Sequence, residues 1–228
     1  IISPSESSKK DIQKYFHVDT SKIHVIPNGI DTGIFKPNLV ISKKPFKLIT
    51  TASADVPLKG LDFTLRAIAV AKDKYPLINL VVIGKPRSGG HTERLISKLG
   101  IDEFVSFKTN LTNQEVSDEY ASSQIAIVSS LYEGFGFPVG EAMACAVPLI
   151  ATDVASIPEI TGPYAEMIAP ESHEDIFNSL DNIFQSYDHY MKKANLGRDH
   201  ILQNFSWSVI ANSYIDHISS ILTSHADI

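Results

Sequence analysis

Cysteine is almost missing from this chain. Cys145 stands alone among 228 residues, so no internal disulfide is available and the composition fits a reducing cytoplasm, with the thiol packing on its helix. Basic charge is not in excess either: 20 Lys and Arg face 26 Asp and Glu, a net charge of -6, and no basic stripe with interleaved aromatics argues for nucleic acid. No apolar run approaches membrane-spanning length, and no signal peptide is visible. The eight histidines are scattered, without the paired Cys or His-Glu spacings of a zinc site, so no metal and no cofactor is expected. An initiator Met and low-complexity segments are also absent, and the chain reads as a fragment of a longer protein. What remains is 43% hydrophobic and 20% charged, the balance of a globular domain long enough to bury a core.

Apolar runs alternate with amphipathic ones. Residues 5–16 read as a helix, 22–26 as extended, and 27–44 as a loop with turn residues Asn28-Gly29 and Pro37-Asn38. Strands are expected at 46–52, 78–83, 104–107, 125–129 and 147–151, with helices at 59–75, 91–99 and 113–122. Helical sequence dominates from His173 onward. Strands alternating with helices predict an α/β fold, a Rossmann-like doubly wound parallel sheet with right-handed crossovers.

Two loops carry chemistry. In Glu133-Gly-Phe-Gly-Phe-Pro-Val-Gly-Glu141, carboxylates flank a glycine loop between an apolar strand and a helix whose start is placed at Glu141. Gly134, Gly136 and Gly140 allow close backbone approach, and Pro138 suits a first helical turn, where no N–H is needed. Free N–H groups there can hold a phosphate, and ionised Glu can grip paired hydroxyls. That combination describes a nucleotide sugar; the spacing fits equally well an ordinary helix-capping turn with both acids solvated. In the loop from Ser53 to Gly60, Lys59 places an ammonium where a diphosphate would lie.

The stretch Ser130-Leu-Tyr-Glu-Gly-Phe-Gly-Phe-Pro-Val-Gly-Glu-Ala-Met-Ala144, followed by Val147-Pro-Leu-Ile-Ala-Thr152 and Ile157-Pro-Glu159, resembles the donor-binding signature of family-four retaining glycosyltransferases. Pro27-Asn-Gly-Ile-Asp31 with Phe35-Lys-Pro37, Pro57-Leu-Lys-Gly-Leu61 and Phe205-Ser-Trp207 are similar to further motifs of that family, in the family's order. The resemblance implies the C-terminal half of a GT-B fold. Residues 1–28 would be the tail of an N-terminal acceptor domain, 29–45 a linker, 46–205 the donor domain, and 206–228 a helix returning toward the first domain. In this fragment that helix, placed at 206–222, is expected to be mobile or docked differently.

The roles that follow are the resemblance's own. Glu133 and Lys59 would be catalytic, Glu133 contacting hydroxyls of the transferred sugar and Lys59 the leaving diphosphate. Glu141 would hold the ribose. The backbone of Gly134, Phe135 and Gly136 would lie along the sugar, and the amides of Phe137 and Val139, on either side of Pro138, would face the diphosphate. The base would sit near Lys108 to Leu111. The donor would be a UDP-, GDP- or ADP-sugar, the acceptor a glycan or lipid-linked acceptor held by the missing domain, so the fragment alone is expected to be inactive. A cytoplasmic setting follows, with peripheral attachment at the inner face of the cell membrane left open. The family's usual arginine before the lysine is absent: Ser53 or Ala54 stands there, and Arg87 and Lys85 are candidate substitutes. Ala146 replaces a usual glycine. A sugar-nucleotide epimerase, a non-catalytic binding subunit and, lower, a glycoside hydrolase are the alternatives.

Overall fold

A computed structural model of the chain describes residues 1–52 and 54–226, with side chains through residue 223. A short parallel pair, β1 (Ile2–Ser3) and β2 (His24–Val25), brackets helix α1 (Glu6–Phe16). The main unit follows: β3 (Lys47–Thr51), α2 (Leu61–Lys74), β4 (Asn79–Ile83), α3 (His91–Leu99), β5 (Val105–Lys108), α4 (Asn113–Ala121), β6 (Ile125–Val128), α5 (Phe137–Ala144), β7 (Leu149–Thr152), α6 (Ile157–Thr161) and β8 (Glu166–Ile168). Helices α7 (His173–Gln185), α8 (Tyr187–Asn204) and α9 (Trp207–Ala226) complete it. No helix among the described residues is long and apolar enough to cross a membrane.

Six strands pair in the order β5-β4-β3-β6-β7-β8, every neighbour parallel. The strands read as continuous apolar runs because both faces are covered. Leu48, Leu80, Val82, Ile125, Ile127 and Ile150 pack on the side of α2, α3 and α7. Ile49, Ala126, Val128, Leu149 and Ala151 pack on the other side, under α5. The chain winds outward from β3 to β5, then returns to lay β6 beside β3. That reversal opens a crevice at the carboxyl ends of β3 and β6, where doubly wound sheets bind ligands.

Strand limits shift from the sequence expectation by a residue or two, and two boundaries at the site differ for a backbone reason. Lys59 does not begin α2; it ends a 3-10 turn over Pro57–Lys59, and Gly60 at φ 61° separates the two. Glu141 does not open its helix: Gly136 at φ 101° caps α5, which starts at Phe137 and places Glu141 in the second turn. The final helix starts at Trp207 rather than 206 and does not stop at 222. It is docked on the N-terminal segment, with the His217 ring 4.2 Å from that of His24. Ala146 sits at φ 52°, a left-handed conformation that explains why a glycine would suit the position.

The segment at Gly29 and Ile30 is pinned to the start of the final helix. Ile30 N–H donates to Phe205 O at 2.7 Å, and Trp207 N–H returns to Ile30 O at 3.3 Å. Gly29 lies under the Trp207 ring, where an added Cβ would meet Cδ2 at 2.4 Å. Gly29→Ala is therefore expected to swing the half-exposed ring outward and cost about 1–3 kcal/mol. Trp207 is the single tryptophan, so a red shift in emission and a lower urea midpoint would check this directly.

Candidate functional site

The two loops at the crevice are stitched together before any side chain reaches across it. Leu131 N–H donates to Leu58 O at 2.8 Å. Ser129 Oγ donates to Gly60 O at 2.9 Å and lies 2.8 Å from Thr64 Oγ1. This brings Lys59 to Glu133, Nζ to Oε1 at 2.7 Å, and Ser130 Oγ donates to the same oxygen at 2.8 Å. Glu133 is 9% exposed, and its Oε2 receives no hydrogen bond among the described residues, leaving one acceptor oxygen for an incoming hydroxyl.

Behind Glu133 the loop has a consistent polarity. The Ser156 hydroxyl shares its one proton between the carbonyls of Glu133 (2.8 Å) and Phe135 (2.7 Å), Ser156 N–H also reaches Glu133 O at 3.4 Å, and Gly134 O accepts from the Ser5 and Ser8 hydroxyls. Gly136 O accepts from Val139 N–H at 3.0 Å. Each trans peptide sets its C=O antiparallel to the next residue's N–H, so tying four successive carbonyls fixes the amides of residues 134–137 in direction. None of those four amides donates to another group among the described residues. The result is a surface of free N–H donors ahead of a helix start, suited to anionic or hydroxyl-bearing ligands.

The remaining candidates are placed as follows. Phe137 is half-exposed and its ring meets that of buried Phe135 at 5.2 Å. The Phe137 amide is free, whereas a ligand would compete with Gly136 O for that of Val139. Pro138 fills the first turn of α5 and accepts at O from Tyr120 Oη at 3.4 Å. Burial pushes the Glu141 carboxyl up to about 7, and no group among the described residues donates to it. Lys108 is turned toward the sheet face, paired with Glu119 at 2.5 Å; the other Glu119 oxygen takes Lys47 at 2.8 Å. Leu111 follows β5 and is half-buried. Ser53 lies outside the described residues. The Arg87 amide is held by Asp55 Oδ2 at 2.8 Å; Lys85 and the Arg87 side chain are exposed. A cavity of ≈ 250 Å³ beside the Lys59 turn is lined by Asp55, Val56, Pro57, Asp62, Phe63 and His91 among others, and by none of Lys59, Glu133 and Glu141. Among the described residues no three His, Cys, Asp or Glu side chains are grouped to hold a metal.

Residues 34–200 match the family described as glycosyl transferases group 1, and residues 1–33 match glycosyltransferase family 4. The chain belongs to the group 1 glycosyl transferases. It is 33% identical over 214 residues to the MMP alpha-(1->4)-mannosyltransferase of Mycolicibacterium hassiacum, covering 92% of this chain and 51% of that protein. A D-inositol 3-phosphate glycosyltransferase of Mycolicibacterium smegmatis is 26% identical over 223 residues, covering 91% and 50%. The chain thus spans about half the length of these relatives. Among solved structures, the C-terminal domain of a group 1 protein from Francisella tularensis superposes with a TM-score of 0.68 at 26% identity, covering 78% of this chain and 100% of that one. HepE from Anabaena, solved with UDP and glucose, has the same fold, with a TM-score of 0.84 at 19% identity over 96% of this chain and 63% of that one. The fold is that of the C-terminal half of GT-B glycosyltransferases.

Within this group 1 chain, sequence reading missed the serines. Ser130, Ser156, Ser5 and Ser8 arrange the loop without contributing charge. Ser130 opens the signature stretch and Ser156 stands one residue before the Ile157-Pro-Glu159 motif, but no role was read for either, and Ser5 and Ser8 lie far from both.

Proposed function

We propose that this chain is the donor-binding part of a retaining glycosyltransferase, moving a hexosyl group from a nucleotide diphosphate sugar to a glycan or lipid-linked acceptor. The observation that carries the reading is the Lys59–Glu133 pair at 2.7 Å beside a loop of free amides at the sheet's switch point. In transfer, the bond from the anomeric carbon to the diphosphate oxygen breaks and its electron pair leaves with the diphosphate. The acceptor hydroxyl oxygen bonds to that carbon from the same face and gives its proton to the departing phosphate. Lys59 and the Phe137 amide are assigned to the growing phosphate charge, and the free oxygen of Glu133 to a sugar hydroxyl. Glu141 is assigned to the ribose hydroxyls and the 108–111 turn to the base. Residues 1–28 are read as the end of an acceptor-side domain, with the acceptor held by the rest of a longer protein.

Calorimetric titration of the chain with UDP, GDP and ADP tests this reading. One nucleotide is expected to bind, with Glu141→Ala weakening it; no binding at millimolar concentration would overturn the assignment. The pH dependence follows from burial. Glu141 holds its proton up to about 7, and only the carboxylate accepts from two hydroxyls, so affinity should rise roughly tenfold from pH 6 to pH 8 with proton release. Glu141→Gln should flatten that rise, which separates it from titration of the nucleotide itself. Fold stability runs the other way. A carboxyl raised above its unfolded value stabilises fully below the unfolded pKa, and that contribution is lost as pH climbs through about 7.

A further inference from the structure

The glycine loop has a rear contact that the donor reading does not use. The Gly134 carbonyl points at the first turn of α1 and accepts from Ser5 Oγ at 2.8 Å and Ser8 Oγ at 3.0 Å. Ser5 also caps that turn, accepting from Ser8 N–H at 3.0 Å. From the other side Glu159, in α6, spans the helix start: Glu6 N–H donates to one carboxylate oxygen and Ser7 N–H to the other, each at 2.8 Å. The acid therefore satisfies two amides that have no partner within α1 and sits at the positive end of its dipole. A third tie, Tyr132 Oη to Asp11 Oδ2 at 2.7 Å, fixes the azimuth of α1 about the loop.

The consequence is geometric. Ser156 sets the peptide planes on either side, through Glu133 O and Phe135 O, but only α1 holds the plane between Gly134 and Phe135. Gly134 has no side chain to restrict that plane, so releasing its carbonyl frees the Phe135 N–H to rotate. We propose that Glu159 is a positioning residue for the sugar moiety of the donor, clamping α1 so that the Gly134 carbonyl is held and the Phe135 amide is aimed into the site. This rests on the reading of the loop as a nucleotide-sugar site, and it adds a sharper statement: Glu159 acts on the sugar and not on the nucleotide.

Glu159 is exposed, so its substitution leaves the core intact. The test titrates the chain and its Glu159→Ala and Glu159→Gln variants with UDP and UDP-glucose, repeated with GDP and GDP-mannose. Backbone amide resonances of residues 134–136 are recorded without ligand. Glu159→Ala is expected to weaken the nucleotide sugar about tenfold and the free nucleotide less than about twofold, with Glu159→Gln, which keeps one acceptor oxygen, in between. The resonances should move in both variants, and Ser8→Ala, which removes one of the two hydroxyls without touching the helix cap, should repeat the pattern at smaller size. Equal weakening of both ligands, or unmoved resonances with an unchanged preference for the sugar, would overturn the role of Glu159 alone. Failure of the unsubstituted chain to bind either pair would instead sink the nucleotide-sugar reading and the sugar role with it.

Discussion

Replacing Lys59 by alanine is expected to lower affinity for a nucleoside diphosphate by roughly 10- to 100-fold, while Glu133→Gln leaves that affinity unchanged or raises it a few-fold. The opposite signs follow from one contact. Without ligand, the Lys59 ammonium is held by Glu133 Oε1 at 2.7 Å, so a diphosphate must compete with a carboxylate for it. Removing the lysine removes the charge that the phosphate would meet, and no second cation stands in the pair: the 53–55 loop offers no arginine, and Arg87 lies on a different loop with its amide held by Asp55. Removing the negative charge of Glu133 frees Lys59 instead. In a longer protein able to transfer sugar, both substitutions should reduce turnover by about 100- to 1,000-fold, because each group is assigned to charge or hydroxyls at the reacting centre. Calorimetry on the chain and kinetics on the longer protein separate the two roles. Parallel loss of nucleotide affinity in both variants would show that Glu133 acts on the nucleotide, and the assignment of its free oxygen to the sugar would fall.

The sheet was legible because its strands are buried on both faces. Runs such as Leu48-Ile49 and Ile125-Ala-Ile-Val128 carry β-branched residues without polar interruption, and each appears as a strand within a residue or two of its expected limits. Strand β8 was not legible, since three residues beginning with Glu166 have no pattern to read, and α6 is only five residues long. The candidate acids and Lys59 were visible as residue types at a loop. Their relation was not: the Lys59–Glu133 bond spans 74 positions and the Glu159–Glu6 bond 153, and no local rule connects residues so far apart. The helix start was misjudged at Glu141 because composition favours the alanine-rich run after it, whereas Gly136 in a left-handed conformation lets the turn begin at Phe137. Lys108 shows the same limit. As a sequence it is a free cation near the expected base site, and only the fold reveals that Glu119 engages it together with Lys47.

Gly60→Ala should damage the protein more than any side-chain deletion at the site. Gly60 is at φ 61°, where a Cβ costs about 1–2 kcal/mol, and an added Cβ would lie 1.9 Å from Ser129 O and 2.8 Å from Ser129 C. Both are backbone atoms at the end of β6, a central strand paired on each side, so the strand cannot move aside without disturbing the sheet. Relief must come from the 57–60 turn. Moving that turn breaks the Ser129 Oγ to Gly60 O bond and the Leu131 N–H to Leu58 O bond, and it carries Lys59 away from Glu133. Strain and lost hydrogen bonds together should cost about 3–5 kcal/mol, a fall of roughly 6–20 °C in Tm for a chain of this size. Nucleotide affinity should fall at least as far as in Lys59→Ala even at temperatures where the variant is folded, because the ammonium is displaced rather than deleted. A Gly60→Ala protein with unchanged Tm and unchanged nucleotide affinity would mean that the two loops are not joined through this glycine, and the crevice would need another account of how Lys59 meets Glu133.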